Sequence, residues 1–176
     1  MTARREELLE KAYGFVLEHG LADLSLRPLA QAIGSSPRVL LYLFDSKDGL
    51  VRELLARARR DELEAIQGIE GDLDAVTARL WEWLSAPAHR PLLVLWLEAY
   101  ARSLVDPHGP WGGYARQTVE DWLDVLAKAQ PAGVRRTRAG HAERTRALAL
   151  VRGALLDLLA TGDQGRVSRA VSSPPC

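Results

Sequence analysis

The sequence has 176 residues, enough for one or two small domains with a substantial hydrophobic core. Its 23 Lys and Arg residues balance 23 Asp and Glu residues, which argues against indiscriminate binding to polyanions. The apolar runs are shorter than the ~18 residues of a membrane span, and the charged N-terminus lacks the apolar core of a signal peptide. We therefore predict a cytoplasmic protein with no membrane partner. The single cysteine, Cys176, excludes an internal disulfide.

Residues that start and stop helices predict a helical N-terminal region. The first helix covers 3–19. Ser25 is expected to cap a second helix through its hydroxyl, and Gly34 to end that helix in a left-handed conformation. Ser36 and Pro37 then begin a third helix, because proline suits the first helical position. Two helices of about eight residues joined by a turn of about three form a helix-turn-helix, the usual layout of a DNA-binding motif.

The third helix is expected to have a buried and an outward face. The residues predicted to face inward are Leu40, Leu41 and Phe44. The residues predicted to face outward are Arg38, Val39 and Tyr42. Ser46 is expected to cap a fourth helix over about 46–66, which would link this module to the rest of the chain.

Three cationic side chains are predicted at the N-terminal turns of these helices, namely Arg27, Arg38 and Lys47. A cation at this end is mildly unfavourable, because the helix dipole places partial positive charge there. A phosphate outside the helix would account for the placement. Three solvated cations without a partner are the alternative.

The spacing of these residues resembles the tetracycline-repressor (TetR) family of bacterial transcriptional regulators. The resemblance covers 3–57 closely and the rest only in length and helical character. The positions that carry it are Gly20, Ser25, Leu29, Ala30, Ile33, Gly34, Ser35, Ser36, Leu40, Tyr42, Phe44, Ser46, Lys47 and Leu50. It implies that the third helix is a recognition helix for a double-stranded DNA operator, with Ser25 and Lys47 on phosphates. The expected DNA-contacting residues are Ser25, Arg27, Ser36, Pro37, Arg38, Val39, Tyr42 and Lys47.

The remainder of the chain is also predicted to be helical, which makes the expected fold class all-α. Helices are expected from near 72, over 89–105, over 114–129 and over 142–161, with a loop at 106–113 and a linker at 130–138. We predict a helix-turn-helix DNA-binding domain at 1–50, a helical effector-binding and dimerisation domain at 51–170, and a disordered tail at 171–176.

The last predicted helix, 142–161, has a wider apolar arc than a single core face needs. One seam contains Leu148, Val151, Leu155 and Leu158, and a second contains Ala147, Leu150, Ala154 and Leu159. Burial against its own domain and against a second chain would account for this width, so we predict a homodimer with two interface helices per chain. A central helix within a monomer is the alternative, and the TetR resemblance implies the dimer. The predicted interface residues are Val119, Leu123, Leu126, Leu148, Val151, Leu155 and Leu158.

Aromatic residues are concentrated outside the helix-turn-helix, where all five tryptophans lie. A helical pocket for a small ligand is mostly apolar with a few polar groups, so aromatic rings with nearby histidines would suit one. The candidate ligand-binding residues are Trp81, His89, Trp96, Tyr100, His108, Trp111 and Trp122. The alternative is that these rings only fill the core. The TetR resemblance implies a small-molecule effector that changes the spacing of two DNA-binding modules.

The sequence contains no glycine-rich phosphate loop, no H-E-x-x-H or E-x-x-H metal spacing and no nucleophile elbow. We therefore predict no enzymatic activity, no cofactor and no metal site. The leading hypothesis is a repressor that binds a palindromic operator as a dimer and is released by a small apolar or aromatic effector. The alternative is a helical protein-interaction module of the same architecture, because Leu41 and Leu43 stand where many TetR members have tyrosine and histidine.

Overall fold

The computed structural model describes residues 2–21, 23–66 and 71–172. Throughout these residues the secondary structure is helical, with no β-strand, which confirms the predicted all-α class. The helices are α1 (Thr2–His19), α2 (Leu26–Ala32), α3 (Pro37–Phe44), α4 (Lys47–Ile66), α5 (Leu73–Ser85), α6 (Arg90–Val105), α7 (Tyr114–Lys128), α8 (Ala132–Arg135), α9 (Arg138–Thr161) and α10 (Gln164–Ser172). A 3₁₀ turn at Pro87–His89 leads into α6. Within the same residues, no helix has both the length and the apolar character to cross a membrane.

The chain divides into two compact units. The first unit contains the residues up to Glu62 together with Pro91–Gln117, so nearly all of α6 belongs with α1–α3. The second unit contains Leu63–Arg90 and the residues from Thr118 onward. This division does not coincide with the domain boundary predicted at residue 50, because α6 returns to pack beside the N-terminal helices.

The core of the first unit is aliphatic and draws on all four N-terminal helices. Its fully buried residues include Leu8, Val16, Leu29, Leu40, Leu50 and Leu54. Helices as short as α2 and α3 are unstable alone in water, so this shared core is what holds them in place.

In the second unit, α5, α9 and α10 pack against one another. Trp81 on α5 donates its Nε1–H to the hydroxyl of Ser168 on α10 at 2.9 Å. Arg166 on α10 forms an ion pair with Asp157 on α9 at 2.7 Å. Helix α10 was not predicted, because its sequence is polar and Val167 is the one residue of the helix that is buried.

The ends of the C-terminal helices also differ from the predicted ones. Helix α9 begins at Arg138, four residues before the predicted start, because the Thr137 hydroxyl accepts a hydrogen bond from the Gly140 N–H at 3.0 Å. Helix α8 lies inside the predicted linker. The predicted disordered tail overlaps α10 at 171 and 172, and its remaining residues, 173–176, lie outside the described residues.

Candidate nucleic-acid interface

The turn between α2 and α3 is fixed by hydrogen bonds from two consecutive backbone N–H groups. The Ser35 N–H donates to the Ala30 carbonyl at 2.8 Å, and the Gly34 N–H donates to the Gln31 carbonyl at 3.3 Å. Gly34 has φ +68°, a left-handed conformation that costs glycine least. The predicted helix stop at Gly34 is therefore confirmed, and it sets the direction in which α3 leaves α2.

The first turn of α3 has the predicted caps. Ser36 is extended, and its hydroxyl accepts a hydrogen bond from the Val39 N–H at 3.3 Å. Pro37 occupies the first helical position, where its missing N–H costs no hydrogen bond. The prediction that the Ser25 hydroxyl caps α2 was wrong. Ser25 precedes the helix and is exposed, but its side chain makes no capping hydrogen bond.

Most of one side of α3 is exposed. Leu40 and Phe44 are buried, and Tyr42, which is 71% exposed, points away from the midpoint between them because successive residues rotate by about 100°. The side chains on this exposed side are Arg38, Val39, Leu41 and Tyr42, which we call the outward face of α3. The prediction that Leu41 is buried was wrong. Leu41 is 42% exposed, because it lies about 80° around the helix from the midpoint between the buried Leu40 and Phe44.

A residue that sequence reasoning missed supports the far end of α3. Arg5 on α1 donates its Nε–H to the Leu43 carbonyl at 3.2 Å and forms an ion pair with Glu53 on α4 at 2.8 Å. Its guanidinium also lies 5.1 Å from the centre of the Phe44 ring. Arg5 thereby connects three helices and positions the C-terminal end of α3. The local sequence pattern around residue 5 does not indicate this role.

The turn from α3 to α4 is unusually tight. Asp45 has φ +64°, and the Ser46 hydroxyl accepts a hydrogen bond from the Gly49 N–H at 2.9 Å, which confirms the predicted cap. A Cβ atom on Gly49 would lie 2.1 Å from the Phe44 carbonyl oxygen, so only glycine fits there. This close approach holds Lys47, at the start of α4, beside the end of α3.

The three predicted phosphate-facing cations are exposed and have no acidic partner in the described part of the chain. Arg27, Arg38 and Lys47 form no ion pair with any residue in the described part of the chain. Other cations of the first unit behave differently, since Arg57 pairs with both Glu10 and Asp61. The helix-turn-helix thus exposes three cations free to contact a partner, with Asp45 and Asp48 exposed on either side of Lys47.

The predicted ligand-binding residues are divided between the two units. In the first unit, Trp96 and Trp111 are buried, the Trp96 and Tyr100 rings lie 5.3 Å apart, and His108 is exposed. The second unit holds the other three candidates, which are Trp81, His89 and Trp122.

Each of the three second-unit candidates is either buried or in contact with a neighbouring group. Trp81 and Trp122 are buried, and the indole of Trp81 is hydrogen-bonded to Ser168. His89 stacks on Trp83 with ring centres 4.3 Å apart, and its Nδ1 lies 2.7 Å from the Trp83 carbonyl oxygen. Core packing therefore accounts for both tryptophans, and a local contact accounts for His89.

The predicted dimer residues fall into two groups. Buried within one chain are Leu126, Leu148, Val151 and Leu155. Half-buried are Val119, Leu123 and Leu158. The exposed leucines of α9 are Leu150 and Leu156, at 41% and 45%. The seam from Leu148 to Leu155 is thus occupied by the chain's own core, and the adjacent side of α9 is the one that a second chain could reach.

One hydrogen bond ties α6 to the helix-turn-helix. The Leu21 N–H, in the turn between α1 and α2, donates to the Glu98 carboxylate at 2.9 Å. The partners are 77 positions apart, so no local pattern could have indicated the bond. It gives α6 a direct attachment to the start of the motif.

Two solved structures share this arrangement of helices. A TetR transcription regulator from Haloarcula marismortui ATCC 43049 has a TM-score of 0.71 at 24% identity, over 97% of this chain and 94% of that chain. The chain has the TetR fold. The multidrug binding protein EbrR, in a structure with imidazole, gives a TM-score of 0.68 at 23% identity, over 100% of this chain and 94% of its own.

One curated relative adds a likeness in sequence. The chain is 29% identical over 114 residues to the HTH-type transcriptional regulator BetI of Stenotrophomonas maltophilia (strain R551-3), covering 51% of this chain and 57% of the relative. The match therefore spans little more than half of the relative's length. No family model matches the chain. These likenesses confirm the resemblance to TetR regulators that the helix-turn-helix residues predicted.

Proposed function

We propose that the protein is a TetR-type transcriptional regulator that binds a palindromic DNA operator as a homodimer. The outward face of α3 is the observation that carries the proposal. Contacts position both of its ends, namely the Ser36 cap at its start and Arg5 and the Gly49 turn at its finish. A rigid short helix with an exposed face is what insertion into the major groove requires.

In this proposal Arg38 contacts a base edge, and the other exposed cations contact phosphates. Ser25 is suited to a phosphate as well, because its hydroxyl makes no helix-capping bond. Arg27 and Lys47 have no acidic partner among the described residues, so a phosphate replaces solvent rather than an existing ion pair. Phosphate contacts of this kind fix the position of the protein on the duplex, whereas base contacts supply the specificity.

A dimer is proposed because one short helix makes few base contacts, each worth about 1–3 kcal/mol at best. On α9, Gly153 lies at the centre of the exposed side with Leu150 and Leu156 on its flanks. The half-buried Val119 and Leu123 on α7 would extend the contact. Two such surfaces related by a two-fold axis match the symmetry of a palindrome.

We propose further that a small apolar or aromatic effector releases the operator. EbrR, which has the same fold, is described as multidrug binding and was solved with imidazole. The buried Trp96 and the adjoining Tyr100 lie in the unit that contains α3, and Glu98 attaches the same helix to the motif. An effector acts only if it binds one arrangement of the two DNA-binding modules more tightly than the other.

A protein-interaction module is the second candidate function. The observation that favours it is the apolar character of Val39, Leu41 and Tyr42 on the outward face of α3, since exposed apolar patches commonly mark protein contacts. The exposed cations beside the patch favour DNA instead.

Selection from a pool of random duplexes, followed by fluorescence-anisotropy titration, tests the proposal. We expect a palindromic sequence to be enriched and its affinity to fall steeply with salt concentration. Arg38→Ala should lower affinity about tenfold to a hundredfold, whereas Arg102→Ala, an exposed arginine of α6, should leave it unchanged. Failure to enrich any sequence contradicts operator binding and favours the interaction module. Unchanged affinity in Arg38→Ala means that α3 is not the helix that contacts the bases.

A further inference from the structure

The outward face of α3 has an unusual composition for a surface that reads base edges. Between Pro37 and Phe44 the helix contains no Asn, Gln, Asp, Glu, Ser or Thr. Asn and Gln are the side chains that recognise adenine, and Asp and Glu accept from cytosine. Arg38 is the one charged side chain of the helix, and Arg is suited to guanine. Recognition of adenine or cytosine by an amide or carboxylate side chain of α3 is therefore excluded, and the Tyr42 hydroxyl is the one neutral hydrogen-bonding group of its outward face.

The exposed aliphatic side chains sit on both flanks of this face. Arg38 and Tyr42 are one turn apart and occupy its centre, while Val39 and Leu41 lie on opposite sides of them at 38% and 42% exposure. Their methyl groups are directed outward, whereas those of Leu40 are buried in the core. Exposed aliphatic groups on both sides of a cation suit a partner that offers apolar groups beside polar ones.

The major groove offers one such apolar group, the C5-methyl of thymine. Resting on the operator binding proposed above, we propose that Val39 and Leu41 select thymines in each half-site through their methyl groups, with Arg38 recognising a guanine between them. Arg38 within the face is exposed and has no acidic partner among the described residues, as a contact to a base edge requires, and the exposed Asp45 and Asp48 lie beyond the end of α3. The half-site is then rich in thymine around one guanine.

Deoxyuridine provides a direct test, because it keeps every hydrogen-bonding group of thymidine and removes only the methyl. Each thymidine of the selected operator is replaced in turn, and the Kd of the unmodified protein is measured by fluorescence anisotropy. Burial of one methyl is worth about 0.8 kcal/mol, so each contacted position should lose about fourfold in affinity. Replacement at the symmetric position in both half-sites should lose about 15-fold. Thymidines outside the half-sites serve as controls and should tolerate the replacement.

Protein variants assign the effect to particular side chains. Leu41→Ala should abolish the thymidine preference at one position of each half-site, and Val39→Ala should abolish it at another. Leu104→Ala, an exposed leucine of α6, is the matched control and should retain the full preference. Because Leu41 and Val39 are exposed, their truncation removes little from the core, and the deoxyuridine series leaves the protein unaltered.

The outcomes separate this inference from the function on which it rests. A selected operator whose affinity changes less than twofold when all its thymidines are replaced overturns the methyl contact but leaves operator binding intact. A preference that survives in both Leu41→Ala and Val39→Ala assigns the contact to other residues and also overturns the inference. Failure to select any duplex overturns operator binding and this inference together.

Discussion

Helices α3 and α9 both expose aliphatic side chains, but the groups around those side chains differ. On α3, Val39 and Leu41 flank an arginine. On α9, Leu150 and Leu156 flank Gly153. The distance between two packed helices depends on the size of the side chains at their contact, so a glycine at this position allows a second helix to come close. A cation between aliphatic groups suits a base edge, whereas a glycine between leucines suits a second helix. Exposure alone does not identify a partner, and the neighbouring residues must be considered with it.

Leu156→Asp should have the largest effect on oligomeric state and operator affinity, because it places a charge in the proposed dimer contact of α9. An unpaired carboxylate buried between two helices costs roughly 3–5 kcal/mol, and two-fold symmetry introduces it twice. Sedimentation velocity should show monomers, and operator affinity should fall by more than about a hundredfold. Leu104→Asp, at the exposed end of α6, is the control and should remain dimeric. A dimeric Leu156→Asp would show that the exposed side of α9 is not the interface.

Gly49→Ala tests the turn that positions α3. The added Cβ would lie 2.1 Å from the Phe44 carbonyl oxygen, so we expect the free energy of unfolding to fall by about 2–3 kcal/mol. Urea denaturation followed by circular dichroism measures the change. Gly14→Ala is a matched control on α1, where the new Cβ meets nothing within 4 Å, and it should stabilise the protein by about 1 kcal/mol. An equal free energy of unfolding in the two variants would mean that the turn accommodates a Cβ atom at residue 49 without loss of stability.

The turns of the helix-turn-helix could be predicted from sequence because their determinants are local. Gly34, Ser36 and Ser46 each act on backbone groups within five residues, and each has the predicted role. Leu41 was misassigned for a related reason. A run of adjacent leucines shows that one side of α3 is apolar without showing where the core ends, which depends on how α3 packs against its neighbouring helices.

Contacts between distant parts of the chain could not be predicted in this way. Arg5 reaches Leu43 across 38 positions, and Glu98 reaches Leu21 across 77. Either residue, viewed in its own helix, is an ordinary charged side chain. The same limit applies to α9, where the sequence shows a wide apolar arc but does not show which seam, Leu148–Leu155 or its neighbour, packs against the rest of the chain.

Lys47→Ala tests the cations beside α3 by removing one proposed phosphate contact. Affinity should weaken by a similar factor for every duplex, and the slope of log Kd against log salt should fall by about one per half-site. Arg116→Ala, an exposed arginine on α7, is the control and should leave the slope unchanged. Loss of affinity for one operator variant only would assign Lys47 to a base instead of the backbone.

Asp45→Asn should change operator affinity the least of these variants, and it should increase that affinity. Asp45 is exposed at the end of α3 with φ +64°, a conformation that asparagine also tolerates, so the turn should survive the change. The substitution removes a negative charge near the proposed phosphate contacts. We expect a gain in affinity of about two- to fivefold at low salt, because exposed charge interactions are worth about 0.2–1 kcal/mol. The gain should shrink as salt concentration rises.

The control for Asp45→Asn is Asp124→Asn on α7, which changes the net charge equally in the other unit. If binding depends on the charge next to α3, only Asp45→Asn should raise affinity. An equal gain in both variants would show that the whole-molecule charge governs DNA binding. The local charges around the outward face of α3 would then have no special role, and the distinction between α3 and α9 would depend on shape alone.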